Sequence, residues 1–296
     1  MQWSISGLEN RAIHQDEGSI PLPSAIYHIN YFNMKKRLCL ICMEREVSQR
    51  IAASYGSNVL IHDMLPEFIL TPNGDLYIER TSGSGFLKID IVVYHGIFEN
   101  DFDMLIALSL WNGPCFPNPF GMMNCRLKLP CLSRALRVSD FGAQRGVIPS
   151  GQSINATKRL VAKWGNWHCG ENKENFVGKW TSSNTSVLEP FFEGQAVRIV
   201  VVGEDYLQIQ LDGDTWLKSI HHEKATITEV DVALLRDTVN LKDHFGLEMI
   251  ANDYIVADSG SKYLLEVNHI PNMTRFMELQ DIYFSNVVKW LEKHSG

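Results

Sequence analysis

Short apolar runs and one amphipathic segment alternate through the first third of the chain. "LCLICM" (residues 38–43) and "NVLIHDM" (58–64) predict strands, and "VSQRIAASYG" between them predicts a helix that ends at Gly56. "FILTPNGDLYIE" predicts a hairpin whose Asn73-Gly74 pair supplies the positive φ angles of a tight turn. The apolar run "IDIVVYH" and the helical "DFDMLIALSLW" follow, so this region is predicted to be a βαβ-type α/β unit.

The pattern changes after the Pro-rich "GPCFPNPFG" (residues 113–121), which predicts a linker. "MMNCRLKLPCLSRALRVS" has a helical period interrupted at Pro130, and "RLVAKWGNWHCGENKENFVGKW" predicts a strand that enters a glycine loop. "VLEPFFEG", "AVRIVVVGEDYLQIQLDG" and "TWLKSI" predict further strands. The remaining elements are a helix over about residues 228–245, a hairpin over 247–268 and a helix over about 279–293.

This order of elements predicts a mixed fold, α/β followed by α+β with antiparallel hairpins. We expect an N-terminal extension (1–33), a small α/β domain (34–118), a central subdomain with the glycine loop (119–188) and a C-terminal subdomain (189–296). Met34 opens directly into the first strand. The polar extension is therefore expected to be an appended arm, a dimer contact or an overrun upstream of the true start.

Composition and charge exclude several classes of protein. The 296 residues are 45% hydrophobic and carry a net charge of −7, so no basic surplus favours nucleic acid or an anionic membrane as the main partner. Residues 1–33 lack the apolar core of a signal peptide, and no apolar run is long enough to span a bilayer. We expect a cytoplasmic protein whose six cysteines are free thiols.

Two cysteines form a CxxC pattern, which raises a zinc or redox site as one interpretation. Cys39 and Cys42 lie in "RLCLICM", however, which predicts a buried strand. A spacing of three places two side chains on opposite faces of a strand. The pattern therefore favours structural cysteines.

The last hairpin contains the clearest candidate chemistry. "EMIANDYIVADSGSKYLLEVN" predicts two strands joined by a two-residue loop, Ser259-Gly260. In that register Asp253 faces Glu266 across the ladder, and Asn268 lies on the same face. The same register places Ile255 and Leu264 on that face as well. The opposite face would carry Tyr254, Val256, Leu265 and Val267.

Two carboxylates directly opposite each other on a sheet repel, and a divalent cation is the simplest compensation. Carboxylate and carboxamide oxygens are hard ligands, so the set favours Mg²⁺ or Mn²⁺ and a substrate that carries phosphate. The other interpretation is a solvent-exposed face on which the acids pair with Lys262 or other bases.

Residues 246–272, "GLEMIANDYIV…YLLEVNHIPN", resemble the C-terminal signature of the ATP-grasp superfamily. The form is similar to that of ATP-dependent carboxylate-amine ligases such as ribosomal-protein glutamate ligases and glutathione synthetases. The resemblance implies an ATP-grasp fold with ATP held between two α+β subdomains. It also implies that Asp253, Glu266 and Asn268 bind one or two Mg²⁺ ions that bridge the ATP phosphates.

Further segments resemble the family in the same order along the chain. "VAKWGNWHCG" is similar to the strand whose Lys reaches the α and β phosphates, which implies that role for Lys163. "SVLEPFFEG" resembles the hinge strand, which places Glu189 and Phe191 at the adenine and Glu193 at the ribose.

The basic residues of the resemblance surround the phosphates. "VRIVVVG" is similar to the strand that carries an Arg near the phosphates and the acyl group, here Arg198, although Ala196 stands where many of these ligases have an acid. In "NCRLKLP", Lys128 resembles the earlier nucleotide-binding Lys, and Arg126 is the rival for that place.

Two more basic residues are expected to contact the substrate. Lys218, in "WLKS", takes the place of a basic substrate or phosphate contact, and His221 or His222 stands where the usual Asn would follow. Arg275, in "PNMTRF", could clamp a substrate carboxylate through two hydrogen bonds.

The resemblance implies a ligase that activates a carboxylate as an acyl phosphate and joins it to an amine of an amino acid, peptide or protein end. The protein needs no covalent nucleophile, because its task is positioning and charge neutralisation. The alternatives are an ATP-grasp kinase that phosphorylates a small molecule and a nucleotide-binding protein without turnover. A homodimer is compatible with the sequence.

Overall fold

A computed structural model describes residues 35–95, 102–166 and 172–295 of the chain. The predicted N-terminal extension and the loop residues Cys169 and Gly170 lie outside the described residues. In the described part, no helix is long and apolar enough to cross a membrane.

A four-stranded sheet of parallel pairs, in the order β2-β1-β6-β7, follows the start of the described chain. Its strands are β1 (Leu38–Ile41), β2 (Val59–His62), β6 (Ile91–Tyr94) and β7 (Cys115–Phe116). The helices α1 (Arg45–Tyr55) and α2 (Phe102–Trp111) follow β1 and β6. The predicted βαβ unit is therefore confirmed.

The predicted hairpin around Gly74 is part of a three-stranded antiparallel sheet. Its strands are β3 (Phe68–Leu70), β4 (Leu76–Glu79) and β5 (Phe86–Ile89). Gly74 has a φ of +81°, as predicted, but Asn73 does not have a positive φ, so the prediction of positive φ angles for the pair is wrong for Asn73. The third strand, β5, was not predicted, because its short run follows the glycine- and serine-rich "TSGSG".

The predicted linker over residues 113–121 contains regular structure. It includes β7 and the start of α3 (Pro119–Cys125), whose first turn is capped by the Asn118 side chain accepting from the Phe120 N–H. The helix α4 (Lys128–Ala135) follows after a break at Arg126 and Leu127. The predicted interruption at Pro130 is wrong. Pro130 lies in the first turn of α4, where backbone N–H groups have no partner within the helix, so the missing N–H of proline breaks no hydrogen bond.

A second four-stranded sheet, entirely antiparallel, has the order β10-β9-β11-β8. Its strands are β8 (Gly146–Ile148), β9 (Ser153–Trp164), β10 (Lys173–Thr181) and β11 (Ser186–Pro190). The strands β9 and β10 flank the predicted glycine loop. Among the described residues, five buried hydrophobic side chains form the separate core of this sheet, which we call the thin sheet.

The C-terminal half forms a five-stranded antiparallel sheet in the order β14-β13-β12-β15-β16, which we call the thick sheet. Its strands are β12 (Gln195–Val202), β13 (Asp205–Gln210), β14 (Thr226–Thr228), β15 (Met249–Val256) and β16 (Lys262–Asn268). The helices are α5 (Val232–Phe245) and α6 (Met277–His294).

Two predictions in this half are wrong. "TWLKSI" forms no strand, and its segment contributes one isolated bridge between Asp212 and Ser219. The helix α5 begins at Val232 instead of Thr228, because the Asp231 side chain caps it by accepting from the N–H groups of Ala233 and Leu234.

Helices cover both faces of the thick sheet. Val197, Ile199 and Val201 share a core with side chains of α5, whereas Val200 and Val202 share another with side chains of α6. This alternation follows from the period of two in a strand and explains why β12 is apolar almost throughout. The strand beside it, β15, is fixed between β12 and β16.

Candidate active site

The β15–β16 hairpin brings the predicted metal residues together. Asp253 pairs with Glu266 and Ala251 with Asn268 across the ladder. From Tyr254 to the turn the register shifts by one residue, so that Tyr254 pairs with Leu264. The shift marks a β-bulge at the candidate metal residues.

The turn of this hairpin differs from the predicted two-residue loop. The Ala257 N–H donates to the Ser261 carbonyl, and the Gly260 N–H donates back to the Ala257 carbonyl, each at 2.8 Å. Three residues therefore form the loop, with Gly260 at a φ of +83°. The extra loop residue moves the register by one, and the bulge restores the pairing of Asp253 with Glu266.

The bulge also changes the predicted faces. Leu264 was expected beside the metal residues and Leu265 on the opposite face. Leu264 is instead fully buried in the same core as Tyr254, and Leu265 lines the cavity described below. Both assignments are wrong because an unpaired residue in one strand reverses the alternation of side chains beyond it.

Asp253 forms a bidentate ion pair with Arg198, its neighbour on β12. The Arg198 Nε and Nη2 atoms donate to the two carboxylate oxygens at 2.6 and 2.8 Å. Burial acts to lower the pKa of Arg198, but the Asp253 carboxylate outweighs it and raises the pKa. Arg198 therefore stays charged at the edge of the site.

Glu266 pairs with Lys128, which begins α4. The Lys128 Nζ lies 3.2 Å from the Glu266 Oε1, and the lysine side chain is 5% exposed. The Asn268 Nδ2, on the same strand, is buried and has no hydrogen-bond partner among the described residues. The Asn268 Nδ2 can therefore donate to an oxygen of a further ligand, whereas only the Oδ1 of this carboxamide could bind a cation.

A buried cluster of three charges joins the thin sheet to this hairpin. The Glu189 carboxylate receives Lys163 Nζ at 2.7 Å on one oxygen and Arg145 Nε at 2.7 Å on the other. Lys163 also donates to the Leu265 carbonyl at 3.1 Å. Sequence reasoning placed Lys163 and Glu189 near the nucleotide but did not identify Arg145.

Lys173 is a second residue that sequence reasoning missed. It pairs with Lys163 across the β9–β10 ladder and lines the same cavity. Burial lowers the pKa of Lys173, the Glu266 carboxylate acts to raise it, and Lys128 and Lys163 act to lower it further. Side chains alternate along β10, but this alternation shows that Lys173 faces the cavity only when the register of β10 with β9 is known.

These side chains surround a cavity of about 680 Å³, open to solvent, between the thin and thick sheets. Its charged lining residues are Lys163, Lys173, Glu189, Lys218, Asp253 and Glu266. Its apolar lining includes Val161, Phe191, Phe192, Trp216, Ile255 and Leu265. The cavity therefore combines charged side chains with apolar and aromatic ones.

The charges at this cavity carry a positive surplus. Lys218 pairs with Asp212 at 3.5 Å and adds no net charge. The other cations that line the cavity or pair with its carboxylates are five (Lys128, Arg145, Lys163, Lys173, Arg198), and they meet three carboxylates (Glu189, Asp253, Glu266), which gives 5 − 3 = +2 among these described residues. The whole chain has a charge of −7. A local cation excess in an acidic protein favours an anionic ligand with several charges.

Other predicted site residues lie at the margin of the cavity or away from it. Phe191 lines the cavity, but its backbone N–H already donates to the Arg159 carbonyl at 3.0 Å and is therefore engaged within the protein. Lys218 lines the cavity from an exposed loop and donates to the Gly213 carbonyl at 3.0 Å. Glu193 is exposed and does not line the cavity.

Arg275 and Arg126 also lie outside the lining of the cavity. The Arg275 Nε donates to the Ile220 carbonyl at 3.3 Å, and its guanidinium lies over the Phe276 ring. Arg126 is fully buried with its guanidinium over the Phe102 ring, whereas its rival Lys128 contacts Glu266. The geometry favours Lys128 over Arg126 as the site residue.

The donor set fits a hard divalent cation. Asp253 and Glu266 face each other and Asn268 adds a carboxamide, all oxygen ligands of the kind that Mg²⁺ takes together with phosphate. Within the described residues, no cluster of three or more His, Cys, Asp or Glu side chains offers an additional site. Cys39 and Cys42 are free thiols, as are Cys115, Cys125 and Cys131.

Comparison with known structures identifies the architecture. A RiPP-associated ATP-grasp ligase from Chryseobacterium gregarium, in complex with ADP and a leader and core peptide, is 14% identical. The alignment covers 87% of this chain and 97% of that one, with a TM-score of 0.60. D-alanyl-alanine synthetase A from Vibrio cholerae is also 14% identical, with coverage of 88% and 98% and a TM-score of 0.55.

A third neighbour is the ATP-grasp ligase PsnB in complex with a minimal precursor, Mg and ADP, at 12% identity. Coverage is 86% of this chain and 98% of that chain, with a TM-score of 0.56. No protein-family model and no curated protein sequence matches the chain. The structural likeness over more than four fifths of the chain shows that this protein has the ATP-grasp fold, as its last hairpin predicted.

Proposed function

We propose that this protein is an ATP-dependent, ADP-forming ligase that activates a carboxylate as an acyl phosphate and joins it to an amine. The observation that carries the proposal is the cation-rich cavity between the two sheets, lined by Asp253 and Glu266, which lie opposite each other. The structural neighbours are ligases, two of them in complex with ADP. The fold and the cavity therefore support the same activity.

The charged side chains of the cavity would bind the phosphates of ATP. Lys163 and Lys173 face the cavity from the thin sheet, and Lys128 and Arg198 approach from beside Glu266 and Asp253. Phosphate oxygens would replace carboxylate oxygens as partners of these cations, which keeps the buried charges paired. The aromatic side chains Phe191 and Trp216, whose rings contact each other, would take the base.

Asp253, Glu266 and Asn268 are the residues that would hold Mg²⁺. Bound there, the ion would neutralise phosphate charge and polarise the transferred phosphoryl group. The protein's own contribution is to hold two anionic groups, the carboxylate substrate and ATP, within reach of each other by surrounding them with cations. No covalent nucleophile is required.

A peptide is the substrate class that the comparisons favour. The Chryseobacterium gregarium ligase is in complex with a leader and core peptide, and PsnB is in complex with a precursor. Arg275 and Lys218 are the proposed contacts of a substrate carboxylate. We also propose the division into α/β (34–118), central (119–188) and C-terminal (189–296) parts, because the thin sheet, apart from the last two residues of β11, lies within the second and the thick sheet within the third.

Release of ADP tests the proposal. The protein is incubated with MgATP and a panel of peptides with free carboxyl groups and of amino acids, and ADP is measured by a coupled assay. We expect release that needs both a carboxylate and an amine, and Glu266→Gln should reduce it at least about 100-fold, since even groups behind the metal ligands contribute 10- to 100-fold.

Asp258→Asn, in the exposed turn of the same hairpin, is the matched control and should retain the wild-type rate. Tight binding of MgATP without ADP release under any acceptor would refute the enzyme and support a nucleotide-binding protein without turnover. ADP release with a hydroxyl acceptor alone would support the kinase alternative.

A further inference from the structure

Arg145 lies in the segment between α4 and β8 and connects three parts of the molecule. Its Nε donates to Glu189 at 2.7 Å, one Nη to the Ala143 carbonyl at 2.7 Å and the other to the Leu264 carbonyl at 2.8 Å. The side chain is 6% exposed. A buried guanidinium with all of these donors engaged is fixed in one orientation.

We propose that Arg145 is a positioning residue that keeps Glu266 opposite Asp253 by holding the bulge of β16. The inference rests on the proposed function, because it assigns Arg145 to the metal-binding geometry of that same site. Arg145 itself does not line the cavity and acts through Leu264 and Glu189.

The bulge decides whether the two carboxylates face each other. Toward the turn the ladder pairs Tyr254 with Leu264, a register that on its own would bring Leu265 opposite Asp253. The extra residue in β16 moves Glu266 into that place. Without the bulge the Glu266 side chain would point to the opposite face of the sheet, away from the Asp253 carboxylate.

Three hydrogen bonds from outside the hairpin hold the backbone of the bulge. The Leu264 N–H donates to the Phe141 carbonyl at 3.0 Å, and Arg145 donates to the Leu264 carbonyl at 2.8 Å. Lys163 donates to the Leu265 carbonyl at 3.1 Å. Bulged residues lose their ladder partners, so these outside donors and acceptors satisfy groups that would otherwise be buried and unpaired.

Arg145 contributes to two of these three contacts. It donates directly to the Leu264 carbonyl, and through Glu189 it orients Lys163, which donates to the Leu265 carbonyl. A lysine at position 145 would keep the charge beside Glu189. A single ammonium group lacks the planar fork that reaches Glu189 and Leu264 at the same time. The guanidinium geometry, and not the charge alone, is therefore required.

The test compares ADP affinity with and without Mg²⁺ by calorimetry in the wild type, Arg145→Lys, Arg145→Ala and Arg137→Ala. Arg137 is an exposed arginine in the same segment and serves as the matched control. We expect Mg²⁺ to strengthen ADP binding by the wild type and by Arg137→Ala. In the two Arg145 variants, the factor by which Mg²⁺ strengthens ADP binding should fall about tenfold or more. Loss of a group that orients metal ligands lowers metal affinity by about this much.

Guanidinium ion added to Arg145→Ala, at a concentration too low to unfold the protein, should restore part of the Mg²⁺ effect. If Mg²⁺ strengthens ADP binding by Arg145→Lys as much as in the wild type, the proposal is overturned. Arg145→Lys keeps the buried positive charge, so it still provides the test if Arg145→Ala does not fold. Failure of the wild type to bind ADP at any Mg²⁺ concentration would instead refute the proposed function. The two failures are therefore distinguishable.

Discussion

The two sheets that line the cavity are held in place by different forces. The thick sheet is covered on both faces by helices, and its central strand β12 contributes four consecutive buried residues to two cores. The thin sheet has a core of five buried residues and many exposed positions on β9 and β10. Packing fixes the first, whereas ion pairs at the cavity contribute much of what fixes the second.

This difference assigns different tasks to the two sides of the site. Asp253 and Glu266, which as the proposed metal ligands would need a fixed mutual geometry, lie on the thick sheet. Lys163 and Lys173, which would follow the phosphates of a ligand, lie on the thin sheet beside the glycine loop. Metal ligands tolerate little displacement, and long lysine side chains tolerate more, so the placement suits each group.

Truncation of a buried core side chain should show the largest difference in stability between the two sheets. Ile199→Ala in the thick sheet should lower the free energy of unfolding by about 4 kcal/mol, because a fully buried side chain leaves a cavity that packed neighbours cannot fill. Leu188→Ala in the thin sheet should cost only about 2 kcal/mol, since its small core can relax. Urea denaturation measures both, and equal losses would contradict the distinction.

The next largest effect should come from the buried charges of the thin sheet. Glu189→Gln leaves Lys163 and Arg145 beside each other without their carboxylate and should cost about 3 kcal/mol of unfolding free energy. Lys163→Met should cost less, because Glu189 and Arg145 remain a neutral pair. Glu174→Gln removes an exposed carboxylate of the same sheet and is the control. A larger loss in Lys163→Met than in Glu189→Gln would show that packing outweighs charge there.

The smallest effect concerns a carboxylate next to the thick sheet. Glu248 precedes β15, and burial raises its pKa, although the Asn118 N–H bond and the nearby Lys242 and His294 act to lower it. Because the pKa of Glu248 is raised in the folded protein, its protonated form stabilises the fold, and this stabilisation is complete at pH values below 4.5, the ordinary pKa of the group. That stabilisation is lost as the pH rises through the pKa of the folded state.

Glu248→Gln, which mimics the protonated form, should therefore be more stable than the wild type at neutral pH and equal to it below pH 4.5. Thermal denaturation at the two pH values gives the difference. Glu204→Gln is the matched control, because Glu204 is an exposed carboxylate that lines, together with Glu248, a second cavity separate from the candidate active site. A stabilisation by Glu248→Gln that does not change with pH would show that the buried charge is not its cause.

Much of the fold followed from local pattern. The first βαβ unit, the β12–β13 hairpin and the last hairpin were predicted because their apolar periods and turn residues lie within a few residues of one another. β5 and the start of α5 were missed, because short runs and capping side chains are weak signals in one sequence. "TWLKSI" was mistaken for a strand because an apolar alternation without a paired neighbour does not make one.

The candidate site shows where prediction from sequence stops. The pairing of Asp253 with Glu266 was predicted through a two-residue turn, whereas the structure reaches it through a three-residue turn and a bulge. Lys173 and Arg145 were missed, because neither has a local pattern that separates it from a surface base. Their roles depend on the register of β10 and on the approach of the segment before β8.

The sequence by itself determined the strands, their faces and the spacing of an aspartate, a glutamate and an asparagine around one turn. Only the tertiary structure decided which cation meets which carboxylate. Arg198 and Asp253 are 55 residues apart in the chain, and Arg145 and Leu264 are 119 apart. The physical reason is that local periodicity encodes side-chain direction within an element, whereas a cavity between two sheets exists only after both have packed.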